Sequence, residues 1–393
     1  MILYIEYTGL STEKLKKFKK FQKELAQQKV YDTWQYVNSL REMLTYMNMS
    51  CELLDKVYAQ RGIKLKEKEQ EILRKAVETG KASVYESDLH CTDLDIAGLT
   101  IDDSLFLQKT TMEFFHYARM CSDILFQIIN AALLGDSSFA VDDRGMIGKV
   151  NTAIENNSNF ATLKSLLDSN KNDDTFKYIQ AFDNYIKHIK TVLVTVKSSF
   201  VLGNNNEFII QEFINSGITY PAQDAITIVK KANKYINDTV EAILTEVQNQ
   251  LPNCVDNSQR IHNISFKFVA KQLEKGIQGD YMSFFIDVEN DISELPTEIK
   301  VLPLIIKPND DIYSFDFRFK KIFIRKKGTD EDGIIGCAEI KNGFDTNEFY
   351  RIFTVRSCDI TEYYSYISKF TQEYSNITVN FAAMEGSTII YQD

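Results

Sequence analysis

FFHYARMCSDILFQIINAALL, running from Phe114 to Leu134, is the stretch on which the fold turns. Its polar residues His116, Arg119, Asp123, Gln127 and Asn130 recur every three or four positions. At about 100° per residue they draw one narrow line along a helix. Phe, Tyr, Ala, Met, Cys, Ile and Leu cover the remaining circumference, with Ser122 the one polar interruption. A line facing water would carry Lys and Glu, which solvate well and favour helix. This one carries neither. The expectation is therefore a helical bundle with something polar at a groove or interface. Two uses stay open. One is a catalytic or binding groove, with His116 as base or acid, Arg119 on an anion, and Asp123 and Gln127 as binding partners. The other is a polar seam that fixes register between helices, or a plain, partly exposed face.

Towards the amino terminus, the prolines give the first clue. All five lie at or beyond Pro221, so the first 220 residues can run in helices without that breaker. Trp34, Val37, Leu40, Leu44, Met47, Cys51, Leu54 and Tyr58 form a seam with spacings of three and four. The spacing predicts a helix from about Ser11 to Arg61, with a break near Val30 allowed and an end at Gly62. A shorter helix follows over about Lys64 to Thr79, and residues 81–100 read as a loop. Asp103 or Ser104 is the expected cap of the striped helix.

Towards the carboxyl terminus, Asp173 and Asp174 open another long helix. Its seam runs Ile179, Phe182, Ile186, Ile189, Leu193, Val196 and Phe200, and Gly203 closes it. Helices over about Glu207–Ile214 and Ala222–Asn249 complete the set, and the Asn-rich segments 151–159 and 170–172 read as loops. After Pro252 the texture changes. A helix over about Ser265–Glu274 is followed by period-two patterns. Tyr313 to Phe319 reads as a strand, and GTDEDG (328–333) as a hairpin leading into a strand over Ile334–Ile340. Asp359 with Glu362 makes a capping box for a helix reaching about Tyr374. Ile377, Val379 and Phe381, then Ile389 and Tyr391, close the chain as strands. The fold class is α+β: a large all-α bundle over 1–255 and a smaller α+β domain over 280–393, with antiparallel strands and one helix.

A net charge of −10 with pI near 5.2 makes the chain a poor general nucleic-acid binder, so phosphate contacts must come from local patches. Six cysteines occur singly with no CxxC pair, which fits reduced thiols and argues against a disulfide framework or a zinc site. The amino terminus lacks a signal-peptide pattern, and the longest apolar stretch, Ile124 to Leu134, is too short to span a bilayer. A cytoplasmic protein with no membrane contact, no metal and no cofactor is expected.

On the second long helix, Asn184, His188, Thr191 and Thr195 line up opposite the seam, with Asp183, Lys187 and Lys190 beside them. The segment Phe115 to Asn130, followed some fifty residues later by AFDNYIKHIK (181–190), resembles bacterial HEPN helical domains over about residues 100–200. In that family a helix carries an Arg-Asn-x-x-x-His core, or a variant with Lys before the His. Asn184 and His188 match it, Lys187 matches the variant, and Asp183 stands where the family has Arg. The resemblance implies metal-independent RNA cleavage at a composite site where two such helices meet in a homodimer. His188 would be the base, and Lys187, Lys190 or Arg119 the cation that stabilises the phosphorane. It equally implies a degenerate relative that only binds RNA or a protein partner. It also implies a place in toxin–antitoxin or abortive-infection defence against phage. The competing expectation is a non-catalytic scaffold that assembles through the polar stripe.

Two basic clusters stand out: Lys14, Lys16, Lys17, Lys19, Lys20 and Lys23, and then Arg318, Lys320, Lys321, Arg325, Lys326 and Lys327. With Phe319 and Phe323 interleaved, the second has the composition of a nucleic-acid platform. It equally has that of an edge strand guarded by charge. No phosphate-loop, dinucleotide, zinc-protease or serine-hydrolase motif is present.

Overall fold

The computed structural model describes residues 9–27, 33–81, 83–85, 88, 90–139, 144–197, 206–254, 261–273, 276–278, 282–291, 294–306, 312–314, 321–341, 351–368, 372–373 and 386–391. Over these the protein is mixed α+β. Its helices are α1 (Thr12–Gln27), α2 (Thr33–Thr79), α3 (Asp103–Leu134), α4 (Met146–Glu155), α5 (Ala161–Asn172), α6 (Asp174–His188), α7 (Ala225–Gln250) and α8 (Ile360–Ile367). No helix among the described residues is long and apolar enough to cross a membrane. The chain divides into two compact units. One comprises Met1–Lys17, Asn38–Phe126 and Asn151–Asn249, the other Phe18–Val37, Gln127–Val150 and Gln250–Asp393.

In the first unit α2 buries the seam that the spacing anticipated, through Leu40, Leu44, Met47 and Leu54. Helix α7 buries Ile228, Val229, Ile236, Val240 and Ile243. Helix α2 differs from expectation in running on through Gly62 to Thr79. Gly62 keeps an ordinary helical φ, and a mid-helix glycine costs only about 1 kcal/mol against alanine. Residues 81–100 are not wholly loop: β1 (Leu94–Ile96) and β2 (Leu99–Ile101) pair about a two-residue turn at Ala97 and Gly98, both with positive φ. The Asn-rich segments lie largely in α4 and α5.

Residues 189–215 also differ from expectation. Helix α6 stops at His188, not near Phe200. The run TVLVTV (191–196) is β-branched at every position but Leu193, and it feeds β3 (Val194–Lys197). The expected helix over 207–214 is instead β4 (Glu207–Ile210) and β5 (Phe213–Asn215). Ser216 and Gly217, again both at positive φ, turn β5 into β6 (Ile218–Tyr220), and β7 (Gln223–Asp224) pairs with β4. The bundle region is therefore not all-α.

In the second unit a ten-stranded sheet comprises β8 (Ile261–Leu273), β9 (Gly276–Gln278), β10 (Met282–Val288), β11 (Glu298–Ile306), β12 (Ile312–Ser314), β13 (Lys321–Lys326), β14 (Ile334–Ile340), β15 (Arg351–Ser357), β16 (Gln372–Glu373) and β17 (Gly386–Tyr391). The expected helix over 265–274 is strand β8, because Phe266, Phe268 and Ala270 alternate at period two. β10 bonds to β13 on one side and β8 on the other, so β10, β13, β14, β15, β11, β17 and β8 close into a ring. Closure removes free sheet edges. One face gathers Phe284, Ile286, Ile299, Ile322, Ile324, Phe353 and Val355 from strands that are not all neighbours, as the inside of a curled sheet does. The opposite face holds Phe285, Phe323, Ile334, Cys337 and Tyr363, the last from α8.

Gly336 sits where a Cβ would meet the Arg356 carbonyl oxygen at 2.9 Å, so the β14–β15 approach requires glycine. The hairpin at 328–333 joins β13 to β14 as expected. Helix α8 ends at Ile367 rather than Tyr374. Asp359 caps it by accepting from Thr361 N at 2.9 Å, while the Glu362 side chain bonds elsewhere, so no capping box closes. Residues 315–320, and with them most of the expected strand from Tyr313, lie outside the described residues, as do Ile377, Val379 and Phe381.

Candidate functional site

The stripe on α3 is not bathed in water. Two of its residues, His116 and Arg119, meet α6, and aromatic packing sets the register. Phe115 on α3 and Phe182 on α6 have ring centroids 4.3 Å apart, and Tyr178 and Phe213 pack around them. Aromatic pairs add specific geometry to the area they bury. With Phe115 against Phe182, the next residue of each helix is carried to its counterpart. His116 Nδ1 lies 3.0 Å from Asp183 Oδ1.

Asp183 is the centre of the site. Its side chain is 1% exposed, yet both oxygens are engaged: Oδ1 by His116 and Oδ2 by Lys187 Nζ at 2.7 Å. A buried carboxylate is tolerated only with such partners. A carboxylate accepts only, so the Nδ1–H of His116 donates to it and leaves Nε2 as the basic nitrogen of the neutral ring. The His116 and Lys187 side chains remain 39% and 41% exposed. The acid is hidden and the two basic groups face outward.

One turn along α3, Arg119 Nη2 lies 2.9 Å from Asp123 Oδ1, and its guanidinium sits 6.0 Å over the Phe176 ring of α6. Burial pushes the Asp123 carboxyl up, Arg119 and Lys187 pull it down, and Asp183 pushes it up again. His116, Arg119, Asp123, Asp183 and Lys187 therefore form one electrostatic group.

Asn184 is half-buried and His188 exposed, one helical turn apart on α6, and the His188 imidazole has no bonded partner among the described residues. Thr191 and Thr195 do not continue that line. Thr191 follows the helix, and the Thr195 hydroxyl on β3 accepts from Gln211 Nε2. Gln127 is half-buried. Asn130 clamps the chain after α3, donating to the Phe139 carbonyl at 2.8 Å and accepting from its N–H at 2.9 Å. Asp102 rather than Asp103 or Ser104 caps α3, accepting from Leu105 N at 2.9 Å. Asp103 turns inward to a buried ion pair with Arg61, whose Nη1 also donates to the Thr92 hydroxyl at 3.3 Å.

In the basic clusters, Lys14 donates to Asn237 at 2.8 Å and Lys17 pairs with Glu241, tying the start of α1 to α7. Arg325 pairs with Asp287 at 2.5 Å and lies 4.7 Å over the Phe285 ring. Lys321 pairs with Glu339 and Glu362. Arg318 and Lys320 lie outside the described residues.

Sequence reasoning placed Asp183 beside the functional line rather than at its centre. The available signal was a lone carboxylate flanked by Phe182 and Tyr185, four residues before a lysine.

A domain-of-unknown-function family, DUF8310, matches residues 262–353, within the closed sheet. No curated protein and no solved structure matches the chain.

Proposed function

We propose that the helical unit acts on RNA as a HEPN-like, metal-independent endoribonuclease in a phage-defence role, with His116 rather than His188 as the base. One observation carries this reading: the buried Asp183 holds His116 and Lys187 side by side while both keep exposed faces. In the proposed step, His116 Nε2 takes the 2′-hydroxyl proton and the 2′ oxygen attacks phosphorus. The 5′ oxygen leaves and takes a proton from water, giving a 2′,3′-cyclic phosphate and a 5′-hydroxyl. Lys187, with His188 on the next residue, stabilises the charge that develops on the phosphorane, and Asn184 positions the phosphate. Arg119 is drawn towards Asp123 and supports the group from one turn away. A second copy completing the cleft belongs to the same proposal.

The test is cleavage of a short RNA by the purified chain in chelator. The expected result is cyclic-phosphate products, lost when the scissile 2′-hydroxyl is replaced by hydrogen. His116→Ala should lower the rate by about 10²–10⁴-fold, the usual contribution of a general base, while circular dichroism stays unchanged.

A second reading rests on the satisfaction of Asp183 by two donors of its own chain: the cluster pins α3 to α6, and the stripe serves assembly. Under it, His116→Ala leaves RNA untouched, and changes at Arg119 or Asp123 alter the mass measured by light scattering.

A further inference from the structure

A second polar cluster lies on the closed sheet, among residues that the sequence scatters. Cross-strand registry sets Lys321 on β13 opposite Glu339 on β14, and Cys337 opposite Arg356 on β15. Cys358 N donates to the Ile335 carbonyl at 3.2 Å, which extends the ladder and puts Cys358 diagonal to Cys337 on the same face. The two thiols share a hydrogen bond. Glu362 reaches the cluster from α8. The Cys337 sulfur and one carboxylate oxygen from each of Glu339 and Glu362 all lie within 4.8 Å of one another.

We infer that Cys337, Cys358, Glu339 and Glu362 form a site for a zinc-class divalent cation that ties α8 to the sheet. Donor chemistry selects the ion. Two sulfurs with two carboxylates suit zinc, whereas magnesium and calcium take oxygen alone. With Zn–S near about 2.3 Å and Zn–O near about 2.0 Å, tetrahedral ligand atoms stand roughly 3.3–3.8 Å apart. The ligand atoms of Cys337, Glu339 and Glu362, within 4.8 Å of one another, reach that arrangement through adjustments of about an ångström, whereas Cys358 lies outside that group and turns its side chain in to become the fourth ligand. Four donors from the chain make a closed site, which is structural rather than catalytic.

Lys321 and Arg356 are part of the design rather than an obstacle to it. Lys321 Nζ stands 2.6 Å from Glu339 and 2.8 Å from Glu362, and Arg356 Nη2 stands 3.1 Å and 2.6 Å from the same two carboxylates. The Lys321 side chain is 15% exposed, so the group accommodates positive charge under cover. Two thiolates and two carboxylates balance a dication, Lys321 and Arg356 to zero net charge. Two thiols and two carboxylates balance Lys321 and Arg356 alone. Exchange of two thiol protons for Zn²⁺ therefore buries no net charge.

The experiment titrates the reduced full-length chain with Co²⁺, a spectroscopic stand-in for zinc, and then displaces it with Zn²⁺. The expected result is one ion per chain, with a near-ultraviolet sulfur-to-cobalt band and the intense visible bands of a tetrahedral ion, both erased by Zn²⁺. Cys358→Ser should roughly halve the sulfur band, and Cys358→Ser together with Cys337→Ser should remove it. Glu339→Gln, an exposed change that leaves the fold intact, should weaken apparent affinity about 10-fold or more. Cys91→Ser with Cys254→Ser should change nothing. Failure to take up Co²⁺, bands that follow Cys91 or Cys254, or a bound ion without sulfur ligation would overturn the site. So would conversion of Cys337 and Cys358 to a disulfide that leaves Zn²⁺ unbound under reducing conditions.

Discussion

The two charged clusters are built inside out with respect to each other. On the helices the acid is hidden: Asp183 is fully covered, and the basic groups that satisfy it, His116 and Lys187, keep half-open faces. On the sheet the base is hidden: Lys321 is largely covered, and the carboxylates that satisfy it, Glu339 and Glu362, stand more exposed. Arg356 and Lys321 hold the Glu362 carboxyl down at about 2, so it stays an anion throughout the physiological range. The covered member sets the sign presented outward. A buried acid shows positive charge to a ligand, and a mostly buried base shows negative charge. The first arrangement suits phosphate and the second suits a cation. Neither preference follows from the net charge of the chain.

The comparison breaks most sharply at a pair covered on both sides. Arg61 and Asp103 are each buried, so Asp103→Asn should strand a buried guanidinium and cost about 3–5 kcal/mol in denaturant unfolding. A loss under about 1 kcal/mol would show that water reaches the pair.

Asp183→Asn comes next. It should cost about 1.5–3 kcal/mol, since charged hydrogen bonds are lost while the cations remain hydrated. It should also separate binding from chemistry. RNA retention on a filter should hold or improve because one negative charge is gone, while cleavage falls about 10²-fold or more because Lys187 holds the amide oxygen and the amide N–H turned to His116 reverses its tautomer. Parallel loss of both would favour a merely structural carboxylate.

Asp123→Asn tests partial burial, with an expected change within about 1 kcal/mol at neutral pH. Burial holds the Asp123 carboxyl above its ordinary range, so the folded state binds its proton more readily than the unfolded state. The folded wild type therefore gains relative to the variant as pH falls through the carboxylate range, and the gain is lost as pH rises through it. Paired melts at several pH values read the sign; an opposite slope would mean that Arg119 outweighs burial.

Glu339→Gln without metal should be the smallest effect, under about 1 kcal/mol, because the carboxylate is exposed and Glu362 remains to satisfy Lys321.

Much of the helical architecture was legible. The seam of α2 and the stripe of α3 are single-period patterns over many turns, and long patterns average out local noise. The failures are short segments where both periods fit. Ile189, Leu193 and Val196 continue a helical seam, but the last two sit in TVLVTV (191–196), and β-branching resolved the tie towards strand. Residues 265–274 hold Phe266, Phe268 and Val269, which satisfy a helix face as well as a strand, and pairing with β10, β16 and β9 decided for strand. Within the candidate site, His116, Arg119 and Lys187 were legible as polar residues on predicted helices. The central role of Asp183 was not, because burial of a carboxylate depends on what another helix brings to it.

The sequence by itself determined that long helices occupy much of the first 250 residues, which side α2 buries and that α3 carries a polar line, since these follow from periodicity within one segment. Tertiary structure alone decided that His116 meets Asp183 across 67 positions of chain. It alone also decided that Cys337 meets Cys358 across two strands and that the sheet closes on itself. The physical reason is that register between elements is set by packing volumes and ladder hydrogen bonds summed over both partners. No single stretch of sequence contains more than one side of that sum.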